Sequence, residues 1–407
     1  MKYYKKKSLI IFLLLAVSLL FLSRCVNQAE SNDPRGRVYA GAATCRQCHQ
    51  AIYDSFLSSA HSRATSKAGA ENILGNFMPG KNIFTYDSST KMIMEKRDSG
   101  YYQVLYLNGK EQNAYRFDVL FGYRNAQTSL YWQGEQLYEL PVSHYNAMNT
   151  WATSPGFPAD HPNLKRAIDQ ECFDCHSSNL SNKQNRTLNS APLLDRQSLI
   201  YGIDCERCHG PAINHVNYHI ANPEEKKASY ITRIAGLNQQ QKLDACAICH
   251  SGNDKAKIQS RFQFKMGDTL GYFFMPFGGN KSTPDVHGNQ MGLLIQSKCF
   301  NVRTMTCGTC HDPHKNATQD LEVYSQKCMS CHKQGSNNFC PQYNILGESI
   351  KSNCIDCHMP KTASNVISYQ VQQSDVRSPY FLRTHRIAVY TDSAKSMLHR
   401  SISAVKN

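Results

Sequence analysis

Cys307-Gly-Thr-Cys310-His311-Asp-Pro-His314 contains the pattern whose reading decides what this chain is. Its core, Cys-x-x-Cys-His, is the attachment sequence of a c-type haem: two thiols bond the porphyrin edge, and the next imidazole binds the iron. The pattern recurs as Cys45–His49, Cys172–His176, Cys205–His209, Cys246–His250, Cys328–His332 and Cys354–His358, giving seven copies. The attachment cysteines are therefore Cys45, Cys48, Cys172, Cys175, Cys205, Cys208, Cys246, Cys249, Cys307, Cys310, Cys328, Cys331, Cys354 and Cys357. The iron-binding histidines that follow are His49, His176, His209, His250, His311, His332 and His358. A shuffled chain of this composition would hold roughly 0.03 copies. Cys-x-x-Cys knuckles also build zinc sites, but zinc does not call for a histidine directly after every second cysteine. The expectation is seven covalently bound haem c groups that stand in for a conventional core.

The first 25 residues read as an export signal. Lys2, Lys5, Lys6 and Lys7 precede an apolar run from Leu9 to Leu22, too short for a membrane span and suited to a signal peptide. Leu22-Ser-Arg-Cys25 resembles a lipobox, although Arg24 stands where a small residue is usual. The expectation is a lipid anchor at Cys25, a tether over 26–37, and a location at the periplasmic face or as an outer-membrane lipoprotein. The formal charge of +14 falls to +9 once residues 1–24, with four Lys and one Arg and no acid, are removed. Fourteen haem propionates would offset the rest, so the basic balance does not point to nucleic acid.

Residues 38–72 form a first haem segment, with Ile52, Phe56 and Leu57 on one face of an expected helix running toward His61. Residues 73–150 carry strand signals instead. Lys91–Glu95, Tyr101–Leu107 and Ala114–Leu120 are β-branched and aromatic runs, and Asn108-Gly109 is a hairpin turn. Leu130–Leu140 reads as another hairpin, closed before Pro141. Residues 151–390 return to haem motifs, with a polar helix expected over 223–245, and 391–407 is a tail. The expected fold is mainly α with much irregular structure, organised around packed c-type haems, with a small antiparallel β insertion near 73–150.

Nine histidines lie outside the motifs, and seven haems ligated by two histidines each would need seven of them. His314, three residues after His311 on one helical turn, points to the same side as His311 and cannot reach the far face of the same porphyrin. It is expected to serve a neighbouring haem, and His215 after His209 follows the same logic. His61, His161, His287 and His385 complete the expected iron ligands. His144 reads as a structural histidine in a strand, and His219 and His399 as spare groups. Cys299 and Cys340 are left over, and an exported compartment permits a disulfide between them.

Three stretches carry a family resemblance: Tyr201-Gly-Ile-Asp-Cys205-Glu-Arg-Cys208-His209-Gly-Pro211, Gln296-Ser-Lys-Cys299-Phe300 and Met305–His314. With Cys354–Pro360 and His385-Arg-Ile387 they make residues 38–390 resemble multihaem c-type cytochromes of the cytochrome c-552/c-554 kind. The resemblance implies a mostly helical and irregular fold in which a histidine just past one motif ligates another motif's haem. Electron transfer between a quinol oxidase, a small cytochrome and a terminal reductase is the leading expectation. The alternative is an enzyme acting on nitrite, hydroxylamine or tetrathionate at one five-coordinate haem, although no Cys-x-x-Cys-Lys motif occurs.

Overall fold

A computed structural model describes residues 31–395 except 186, 188–189, 254, 276–282 and 302–303. The export signal, Cys25, residues 26–30 of the tether and His399 lie outside the described residues. The expectation of a mainly α fold is wrong. Among the described residues there are fourteen strands in four antiparallel sheets, and the longest helix is the 16-residue Ala42–Leu57.

Ten strands lie in and around the 73–150 stretch: β1 (Thr65–Lys67), β2 (Ile83–Thr85), β3 (Thr90–Arg97), β4 (Gly100–Leu107), β5 (Lys110–Arg116), β6 (Val119–Phe121), β7 (Ala126–Gln133), β8 (Gln136–Tyr145), β9 (Thr150–Thr153) and β10 (Ala167–Ile168). Four of them form the sheet β2-β3-β4-β5, and six form β1-β6-β7-β8-β10 with β9 paired to β8. Asn108 and Gly109 both have positive φ, as the tight β4–β5 turn requires. Pro141 does not end a hairpin; it sits inside β8. Thr128 pairs with Ser143 while Leu130 pairs with Glu139, so β8 bulges there and its missing N–H breaks no ladder bond.

The period of two on β6 and β7 sends alternate side chains to two cores. Leu120 and Tyr131 join Phe84, Met92, Met94 and Trp151 on one face of the six-stranded sheet. Val119 and Leu130 pack on the other face with Leu137, Ile168, Leu180, Leu194 and Phe173. Phe173 lies between the cysteines of the second motif, so the β unit is fastened to that motif rather than inserted beside it. The remaining strands, β11 (Ser177–Gln184) with β12 (Leu193–Tyr201) and β13 (Lys361–Tyr369) with β14 (Ser378–Arg383), are hairpins set between haem motifs.

The motif regions fold as short helices. Helix Ala42–Leu57 is kinked at His49 and stops before His61, which lies in the turns beyond it. The expected helix over 223–245 forms only from Gln239 to His250, where Asn238 makes a capping box with Gln241. His311 and His314 do not share a helical turn; a 3-10 helix ends at Thr309 and the chain then bends.

Three motif regions meet at Gly202. Its N–H donates to Thr65 Oγ1 at 2.8 Å, and its carbonyl accepts from Ser178 Oγ at 2.9 Å. With φ +63°, a Cβ here would lie 2.0 Å from the Ser62 carbonyl oxygen. Only glycine fits. Gly202→Ala is therefore expected to lower stability by about 2–4 kcal/mol, a strained φ plus a backbone clash. Phe173→Ala is expected to cost about 3–5 kcal/mol by leaving a cavity. Chemical denaturation of the holoprotein checks both.

Candidate haem sites

Where an ordinary domain would have its core, the motif half of the chain encloses a cavity of about 3140 Å³. Single-ligand pockets measure roughly 300–1,000 Å³, so this one suits several large groups side by side. Residues of every motif lie on its wall except those of the second, which contributes only Cys175. Residues between the paired cysteines anchor the second, third, fourth and seventh motifs. Phe173, Ile248 and Ile355 are buried in apolar surroundings, and Asp174 and Glu206 are buried among charged partners.

The histidines are held for binding through Nε2. In five motifs Nδ1 lies beside an acceptor: His176 with Ala64 O (3.4 Å), His209 with Thr232 O (3.3 Å), His250 with Gln290 Oε1 (3.2 Å), His332 with Asn338 O (2.6 Å) and His358 with Ala388 O (3.0 Å). A carbonyl cannot donate, so Nδ1–H donates and the Nε2 lone pair is left free for a metal. The extra histidines follow suit: His215 donates to Ser229 O (2.8 Å), His61 to Pro313 O (3.4 Å), and His314 Nδ1 lies 3.3 Å from the Asp312 carboxylate. Burial also keeps the imidazoles neutral. It pushes His250 and His385 down to about 4 and lowers His61, His176, His209, His287 and His311.

Four motif histidines face a histidine from a distant segment. Ring centres are 6.4 Å apart for His49–His215, 6.1 Å for His209–His314, 6.2 Å for His61–His250 and 6.2 Å for His311–His385. A metal–nitrogen bond is about 2 Å. Half an imidazole adds about 1 Å on each side, so two rings on one iron should have centres about 6 Å apart. The gap fits an iron between each pair. His287, exposed and absent from the cavity wall, lies close enough to the half-buried His176 to lower its pKa, after burial.

Further observations support the fit. The Arg207 Nε and His219 Nε2 atoms are buried at the cavity wall without a partner, as donors left for a carboxylate-bearing group would be. The thiols of different motifs touch as Cys45–Cys205, Cys175–Cys249, Cys246–Cys307 and Cys328–Cys354. The attachment points are therefore closely spaced.

The family described as cytochrome c554 and c-prime matches residues 136–210, which contain the second and third motifs. The fold is similar to the crystal structure of the outer cell wall cytochrome OcwA, with a TM-score of 0.51 and 15% identity. That match covers 88% of this chain and 81% of the other. No curated protein matched the chain. The first likeness spans two of the seven motifs, and the second is one of fold.

Not every expected ligand reaches the cavity. His161 is exposed beside Asp160 at 2.7 Å and is absent from the wall. His144 is buried in β8 between Asn146 and Asn149 and against Trp151. His219 is not a surface group; its ring stands 4.6 Å from His215 on the helix Ile213–Ala221. Among the described residues, no second histidine ring stands opposite His332 or His358. Cys299 and Cys340 are free thiols at the wall. The Nδ1 acceptors escaped sequence reasoning because most are backbone carbonyls, which any residue supplies.

Replacing Cys354 and Cys357 together by Ser is expected to lower the intact mass of the purified protein by one haem and leave the other haems attached. An unchanged mass would count against covalent haem at that motif.

Proposed function

We propose that the protein is an exported cytochrome carrying electrons between redox partners through seven c-type haems, five of them held by two histidines. The crosswise histidine pairing carries this reading. His49 with His215, His209 with His314, His250 with His61 and His311 with His385 each leave room for one iron. His287, whose charge acts on His176, would complete a fifth pair. The bound haems would supply one-electron exchange between ferrous and ferric iron. The chain's own residues do the rest. Paired imidazoles shut small molecules out of five sites, and the Nδ1 acceptors hold each ring in place.

The thiol contacts support a continuous path. They make neighbours of the first and third motifs, the second and fourth, the fourth and fifth, and the sixth and seventh. The basic and apolar N-terminal sequence supports export, as does the likeness to an outer cell wall cytochrome. A lipid at Cys25 would tie the protein to a membrane surface, within reach of a quinol oxidase, a small cytochrome or a terminal reductase.

A second reading draws on the neighbouring sixth and seventh motifs. With no imidazole opposite His332 or His358 among the described residues, an iron there would keep a free position. That suits a haem-site oxidoreductase acting on a small nitrogen or sulfur compound such as nitrite, hydroxylamine or tetrathionate.

Electron paramagnetic resonance of the oxidised holoprotein tests both. Five low-spin haems are expected. The pairs at interplanar angles of 14° and 11° should give rhombic signals, and His61–His250 at 65° a broad, more anisotropic one. Mostly high-spin haems would sink the electron-transfer reading. A high-spin signal that changes with nitrite or hydroxylamine favours the second reading, and its absence removes it.

A further inference from the structure

The third motif lies between two buried charge clusters of opposite sign. On one side the Arg35 guanidinium meets Asp33 at 2.9 Å, Asp204 at 2.7 Å and Glu206 at 3.3 Å. Each of these side chains is at most 8% exposed. Glu206 also accepts the N–H groups of Ala40, Gly41 and Ala212 at 2.8, 2.9 and 2.8 Å. Burial pushes Glu206 upward, but Asp33 is held low and Asp204 is bound to the guanidinium, so negative charge stays in excess.

On the other side the charges are reversed. Arg207 donates to the carbonyls of Arg261 at 2.6 Å and Asp174 at 3.3 Å. Arg261, only 4% exposed, donates to Cys175 Sγ at 2.6 Å and Asn253 Oδ1 at 3.0 Å. Lys257 binds the buried Asp174 carboxylate at 2.9 Å, and its other partner, Glu171, is two-thirds exposed. Three cations thus gather about the Asp174 segment, whose one buried carboxylate pairs with Lys257 alone among them. The Nε atoms of both arginines have no partner.

Arg207 is itself part of the third motif and acts on Cys208 and Cys249 alike, but the other charges divide between two pairs of motifs. Asp204 and Glu206 flank Cys205, whose thiol is hydrogen-bonded to Cys45. Asp174 and Arg261 lie against Cys175, and Cys249 Sγ is 3.9 Å from the Asp174 carbonyl.

We propose that these clusters polarise the haem chain, the carboxylates lowering the potentials at Cys45–His49 and Cys205–His209 and the arginines raising them at Cys172–His176 and Cys246–His250. Ferric haem carries one more positive charge than ferrous haem. A buried carboxylate therefore favours the oxidised form and a buried guanidinium the reduced form, with little screening at low dielectric. A propionate drawn to either free Nε offsets one charge, but every haem carries propionates, so the difference between the two sides persists. Electrons arriving at the first pair then run downhill to the second.

The inference rests on the electron-transfer reading and is tested by mediated redox titration of the holoprotein, followed by haem absorbance. Asp204→Asn keeps the hydrogen bond to the Arg207 N–H while removing a charge, and should move the lowest-potential components upward only. Arg261→Gln should move the highest-potential components downward, and Arg261→Lys should hold them near the wild-type value. Shifts of the same sign, shifts spread over all components, or no shift in Asp204→Asn would overturn the proposal. Should Arg261→Gln fail to assemble, Asp204→Asn decides alone. A wild-type protein whose haems do not titrate would instead defeat the electron-transfer reading itself.

Discussion

A histidine that follows Cys-x-x-Cys is tied to one face of its porphyrin, and the few residues after it cannot cross to the other. The second imidazole has to come from another part of the chain. His314 makes the point: it is three residues from His311, yet it faces His209. Met once per haem, this requirement stitches remote segments together. His61 goes to the fourth motif, His215 to the first, His385 to the fifth. The ligand bonds would then do what apolar burial does in an ordinary domain, which explains how helices of four to sixteen residues can hold so large a cavity open.

The candidate attachment motifs were legible because their chemistry is local: five consecutive residues suffice. That His314 and His215 face a different motif was legible too, since spacing alone keeps each from the far side of its own. Which motif each would face was not, because that depends on how distant segments cross. His161 shows the limit. Its sequence surroundings resemble those of the other candidates, but the loop turns it to solvent beside Asp160. His287 sits in an equally irregular loop, yet lies close enough to His176 to lower its pKa.

The balance of strands and helices was misread for a different reason. Runs such as Tyr101–Leu107 were plain, but β1, β10 and the hairpins β11–β12 and β13–β14 are short or polar, and carry little period-two signal. Pro141 misled because a bulge lets proline sit within a strand. What sequence could not convey is that the sheet's second core closes over Phe173, making the β unit a support for the second motif.

The strap Thr384–Tyr390 adds a consequence for maturation. Its Thr384, Ala388 and Tyr390 N–H groups bond the Pro360, His358 and Cys357 carbonyls, and it carries His385 to the fifth motif. A chain exported from its N-terminus would deliver this strap after all seven motifs. Of the four histidines whose rings face a motif histidine, only His61 precedes its partner in sequence; the rest arrive after it. Haems at the first, third and fifth motifs would therefore be attached while their far sides still stand open, and the strap would close the fifth.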